Sequence, residues 1–166
     1  MLKIVGCIMV VLTSTAIGYE KSKEISIHRR ELEELQRIFM MIQAELEHLK
    51  TPFGELFLKI QNRTEGKYKL WMNDIGKELK TYQKGTFEEI WNRSIEVHFK
   101  ESFLTTSEIE ELKQISKNIS HMEAIRLYLT QLEISIQYIR EEEKTKKKLY
   151  QSMGIMVGIF LVIVLV

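Results

Sequence analysis

The last residues of the chain, Met153 to Val166, read MGIMVGIFLVIVLV and carry no charge. No other feature narrows the choice of fold as far. In a hydrocarbon surrounding, a backbone must satisfy its own N–H and C=O groups, and one isolated segment does that only as an α-helix. Counting back to Leu149 gives an uncharged stretch near the lower limit of the roughly 17–25 residues that span a bilayer. Residues 149–166 are therefore predicted to be a membrane anchor. Lys144, Lys146, Lys147 and Lys148 stand directly before it. Lysines at the foot of a span favour the cytosolic side, and they can meet anionic headgroups.

The amino end repeats the pattern. Ile4 to Tyr19 is uncharged, with Lys3 in front. Read as a signal peptide, it has Ser14 and Ala16 as small residues for cleavage. Read as an uncleaved anchor over residues 1–20, it is followed by Lys21, Lys23, Arg29 and Arg30, which outweigh Lys3. That bias places residues 21–148 in the cytosol. The lysines at the other end point the same way, so the uncleaved anchor is the expectation.

Between the ends, apolar residues recur at Leu32, Leu35, Phe39, Ile42, Leu46 and Leu49, and again at Ile125, Leu129, Leu132, Ile136 and Ile139. Alternating steps of three and four mark a helix with one narrow apolar stripe. Each such helix covers roughly 25–30 residues, or about 40 Å. If both anchors enter one membrane, the two helices run antiparallel, side by side. Shorter helices fill the interval. Thr51 and Pro52 open one that reaches Gln61, with Thr51 as N-cap and Pro52 at the first helical position. Another spans Tyr68 to Tyr82, with Leu70 or Trp71, Ile75 and Leu79 inward. Thr86 with Glu89 and Thr105 with Glu108 are capping boxes, each opening a further helix. The second of these continues through Ile109, Leu112, Ile115 and Ile119. The fold class is thus all-α: an antiparallel helical bundle whose two long helices continue into the terminal membrane segments.

No catalytic constellation stands out. His28, His48, His98 and His121 are scattered, and none forms the i, i+4 pair that sets two imidazoles on one helix face. Cys7 lies in the apolar amino segment, and no glycine-rich phosphate loop exists. The carboxylates Glu31, Glu33 and Glu34, and Glu141, Glu142 and Glu143, read as solvated polar faces. A net charge of +1 without a concentrated basic face gives no sign of a nucleic-acid partner. No cofactor, metal or small-molecule substrate is expected. The residues with most to offer a protein partner are the aromatics Phe53, Phe57, Trp71, Phe87 and Trp91, some of which must also serve the core.

Three pieces in order carry a family resemblance. The first is the periodic helix ending in His48-Leu49-Lys50-Thr51-Pro52. The second is Thr86-Phe87-Glu88-Glu89-Ile90-Trp91. The third is the segment Leu104 through Gln131, followed later by Lys148-Leu149-Tyr150-Gln151-Ser152-Met153-Gly154 and the terminal anchor. Over essentially its whole length the chain resembles the stage III sporulation protein AB family of endospore-forming Firmicutes. It departs from the family's Leu-Gly-x-Ser-Asp-like turn, having Asn118-Ile119-Ser120-His121-Met122 instead.

The resemblance implies a component of a multiprotein channel between mother cell and forespore, on the mother-cell side of the outer forespore membrane. The family is similar in its helical domain to the inner-membrane platform proteins of type II secretion and type IV pilus systems. That likeness implies a non-enzymatic platform or adaptor for a cognate cytosolic ATPase and for membrane neighbours. The competing expectation is a membrane-tethered coiled-coil sensor, which the same periodicity would serve.

Overall fold

The computed structural model describes the backbone of residues 2–47, 52–81 and 85–165, and the side chains of residues 23–47, 52–81 and 85–146 together with Leu149 and Met156. Among the described residues there are six α-helices and no strand. They are α1 (Leu2–Glu47), α2 (Phe53–Gln61), α3 (Gly66–Lys80), α4 (Phe87–His98), α5 (Thr106–Gln114) and α6 (Met122–Leu165), with a 3-10 turn at Ile115–Asn118. The chain divides into two compact units, one made of Met1–Arg30 with Ile136–Val166 and the other of Glu31–Ser135.

In the second unit the α1 stripe is buried as its spacing requires. Leu32, Leu35, Phe39 and Ile42 have no exposed surface. Ile38 joins them, which widens the stripe. Leu49 and Thr51 lie outside the described residues. On α6 the buried set is Ile125, Tyr128 and Leu132, with Leu129 only half-buried. The expected Leu129 thus yields to Tyr128, whose ring meets Phe39 edge-on with centroids 4.6 Å apart. Arg126 also reaches Glu47 at 3.8 Å. Positions rise along α1 while they fall along α6, so the two helices run antiparallel here.

The short helices zigzag over this pair. Lys59 meets Glu45 at 3.2 Å, and Arg37 donates to the Arg63 carbonyl at 2.9 Å, laying α2 back along α1. Pro52 is the residue before the first helical one rather than the first itself, and its carbonyl accepts from the Glu55 and Leu56 amides. The α3 helix starts at Gly66, whose φ of +56° suits a residue without a Cβ. It buries Trp71, not Leu70. Both capping boxes form as written: Thr86 with Glu89, and Thr105 with Glu108. The α5 helix is shorter than expected, because its last turn tightens into the 3-10 form at Ile115. Ile115 and Ile119 stay buried all the same.

The α2 and α3 helices touch backbone to side chain at two glycines. A Cβ on Gly76 would lie 2.7 Å from Leu58 Cγ and 3.1 Å from the Gly54 carbonyl oxygen. One on Gly54 would lie 3.3 Å from the Gly76 carbonyl oxygen. Gly76→Val is therefore expected to lower stability by about 1–3 kcal/mol through overpacking. The helix propensity gained on losing glycine, about 1 kcal/mol, works against that loss, so Gly76→Ala costs less. Urea unfolding followed by far-UV circular dichroism checks the order.

In the unit formed by the chain ends, Ile136 and Ile139 are buried. The α1 helix begins at Leu2 and α6 runs to Leu165, so the backbone of both apolar ends is helical. Among the described residues no helix is long and apolar enough to cross a membrane. The expected anchors, residues 1–20 and 149–166, fall outside the described side chains except for Leu149 and Met156.

Candidate functional site

The five aromatics named as partner contacts belong to one cluster in the unit Glu31–Ser135. Trp91 is its centre. Its ring centroid lies 5.0 Å from Trp71, 5.6 Å from Phe87, 6.0 Å from Phe57 and 6.2 Å from Phe39. Phe87 stacks on Phe57 and meets Phe53 edge-on at 5.8 Å. Trp71 extends the cluster to Phe99, and Phe99 to Tyr68.

Burial divides the five. Phe57, Trp71 and Trp91 have no exposed surface, so they are core residues and offer a partner nothing. Their polar atoms are satisfied internally. Trp71 Nε1 donates to Ser94 Oγ at 3.0 Å, and Trp91 Nε1 donates to the Leu112 carbonyl at 2.8 Å. Ser94 Oγ in turn donates to the Trp91 carbonyl at 2.7 Å. Phe53 and Phe87 are half-exposed, at the first turns of α2 and α4. The aromatic surface open to a partner therefore reduces to these two rings, backed by the buried three. The charges beside it are paired: Glu55 with Lys80 at 3.8 Å, and Glu88 with Lys117 at 3.7 Å.

The lysines before the carboxyl end are embedded in a ladder of their own. Lys144 pairs with Glu141 at 2.9 Å and Lys146 with Glu142 at 2.6 Å. The hydrogen bond and charge of Lys144 hold the Glu141 carboxyl below the usual carboxylate range. The Lys147 and Lys148 side chains lie outside the described residues.

Two carboxylates read as solvated faces are largely buried and paired across helices. Glu31 is 11% exposed. Its carboxylate takes Lys67 Nζ at 2.5 Å on one oxygen and the Phe103 amide at 3.1 Å on the other. That ammonium also sits over the Phe99 and Tyr68 rings, 5.1 Å and 5.3 Å from their centroids. Glu143 accepts from Ser26 Oγ at 2.6 Å and Arg29 Nε at 2.9 Å. A signal for Glu143 existed, since it stands at the next step of the α6 stripe beyond Ile139. No local signal marked Glu31.

Burial, helped by nearby carboxylates, pushes the Tyr68 and Tyr128 phenols up, so they remain neutral core rings. Among the described residues no group of three His, Cys, Asp or Glu side chains is placed to hold a metal ion. His121 is exposed at the entry to α6, where its carbonyl accepts the Ala124 amide.

The family model described as Stage III sporulation protein AB matches residues 3–166. The chain belongs to that family. Stage III sporulation protein AB of Bacillus subtilis (strain 168) is 25% identical over 173 residues, covering 99% of each chain. A solved structure of stage III sporulation protein AB (SpoIIIAB) has the same fold, with a TM-score of 0.65 at 20% identity. It covers 72% of this chain and 98% of its own. Among the described residues the secondary structure is all-helical, and the chain belongs to a sporulation family over residues 3–166.

Proposed function

We propose that this protein is a non-enzymatic, membrane-anchored component of a sporulation channel of secretion-like type. It acts there as a platform or adaptor for a cognate cytosolic ATPase and for membrane partners. The observation that carries the reading is the pair α1 and α6. Each is one unbroken helix, Leu2–Glu47 or Met122–Leu165, and each includes an apolar terminal stretch of the chain. A helix can enter lipid at such a stretch, because its backbone satisfies its own hydrogen bonds. Residues 21–148 then face the cytosol, with Lys144, Lys146, Lys147 and Lys148 at the membrane surface. Phe53 and Phe87 form the contact for the partner. Two aromatic rings half-open over a rigid core suit an interface anchor, since little side-chain freedom is lost on binding.

The test is capture from sporulating cells with the tagged full chain. The wild-type protein is expected to recover an ATPase or membrane components of the channel. Phe53→Ser with Phe87→Ser is expected to lose the ATPase while the circular dichroism stays unchanged. Recovery of the same proteins by the double variant removes those two rings from the interface. Recovery of no such component by the wild type removes the adaptor reading. Cysteines at Glu34 and Ser120 separate the sensor alternative, because labelling from outside intact cells means that the helical unit is exported.

A further inference from the structure

In the unit formed by Met1–Arg30 and Ile136–Val166, the apolar stripe of α6 is interrupted. Its steps of four and three lead from Leu132 to Ile136 and Ile139, and the next step of four falls on Glu143. A carboxylate therefore occupies a position whose two predecessors are 4% and 5% exposed. It is not left to solvent. One oxygen accepts the Ser26 hydroxyl at 2.6 Å and the other the Arg29 guanidinium at 2.9 Å. The Arg29 and Glu143 side chains are only 22% and 24% exposed. Leucine at position 143 would continue the stripe with more buried apolar area, so the acid lowers stability relative to that simpler solution.

Polar groups placed in an apolar seam select one pairing over another. We propose that Ser26, Arg29 and Glu143 form a clasp that commits α1 to pair with α6 and bars homotypic pairing between copies of the chain. The argument is electrostatic. An α6 aligned in parallel with the α6 of a second copy sets Glu143 against Glu143. An α1 aligned with a second α1 sets Arg29 against Arg29. Like charges facing each other across a partly desolvated seam are strongly disfavoured. The α1–α6 pair gives each carboxylate oxygen a donor.

A cysteine reporter in full-length protein in detergent micelles tests this. Ile139→Cys, in a Cys7→Ser background, places a thiol in the α6 stripe beneath α1. Under mild oxidation the otherwise wild-type reporter is expected to give little disulfide dimer. Glu143→Leu removes the repulsion between two α6 helices, and dimer is expected to rise several-fold. The exchanged pair Arg29→Glu with Glu143→Arg restores a matched α1–α6 contact and keeps like charges opposed in both homotypic pairs. It is expected to return dimer to the starting level. Far-UV circular dichroism of each variant confirms that the helices are formed. An unchanged dimer fraction in Glu143→Leu overturns the proposal. So does an exchanged pair that cross-links like Glu143→Leu.

Discussion

Trp91→Ala is expected to destabilise the protein by about 3–5 kcal/mol, the range for removing a large aromatic from a packed core. The side chain has no exposed surface, and its ring lies within 6.2 Å of Phe39, Phe57, Trp71 and Phe87 by centroid. Those four rings come from α1, α2, α3 and the start of α4, so no single neighbour can move in and fill the space. The substitution also strips the Leu112 carbonyl of its donor. That carbonyl belongs to the last turn of α5, so its indole partner ties α4 to α5. Trp91→Phe separates the two contributions. It keeps most of the packing and loses the hydrogen bond, and is expected to cost about 1–2 kcal/mol. Urea unfolding of the full chain in detergent, read by far-UV circular dichroism, measures both. A Trp91→Ala midpoint close to wild type would mean that the cluster is not packed as described.

Glu31→Ala is expected to cost about 2 kcal/mol, less than the roughly 3–5 found when a fully buried pair is broken. The discount follows from exposure: Lys67 is 29% exposed, and its ammonium can turn to water once unpaired. What water cannot restore is the geometry. The Glu31 carboxylate joins α1 to α3 through Lys67 and to the segment before α5 through the Phe103 amide. Lys67→Met leaves the second of these bonds intact and keeps an apolar stem against Tyr68 and Phe99. It is expected to cost less than Glu31→Ala. A double-mutant cycle on Glu31 and Lys67 gives the coupling directly. A coupling of zero would show that the ion pair holds nothing.

The two substitutions differ in how visible their reasons are in the sequence. The helix carrying Trp91 is announced by Thr86 and Glu89, whose mutual hydrogen bonds form as the spacing demands. Glu31 gave no warning, because its partners lie 36 and 72 residues away. Among neighbouring glutamates on one helix, nothing local distinguishes the one that faces a lysine and a free amide from those that face water. Tyr128 taking the place of Leu129 has the same origin. Both positions lie near the edge of a stripe defined by steps of three and four, and the ring of Phe39 decides which one is covered.

What the sequence alone determined is everything governed within a few turns of helix. That covers the all-helical class, the two capping boxes, and the stripes of α1 and α6 apart from Leu129. These follow from hydrogen bonds and side-chain spacings between residues at most four apart. Tertiary structure alone decided which aromatics belong to the core. Phe53, Phe57, Trp71, Phe87 and Trp91 are equivalent to any local rule, yet three are sealed and two are half-open. That division depends on how closely helices approach, and so on Gly54 and Gly76 lacking side chains at the α2–α3 crossing. It also depends on buried donors finding acceptors on other helices, as Trp71 finds Ser94 and Trp91 finds Leu112. Contacts of that kind exist only once the chain is folded.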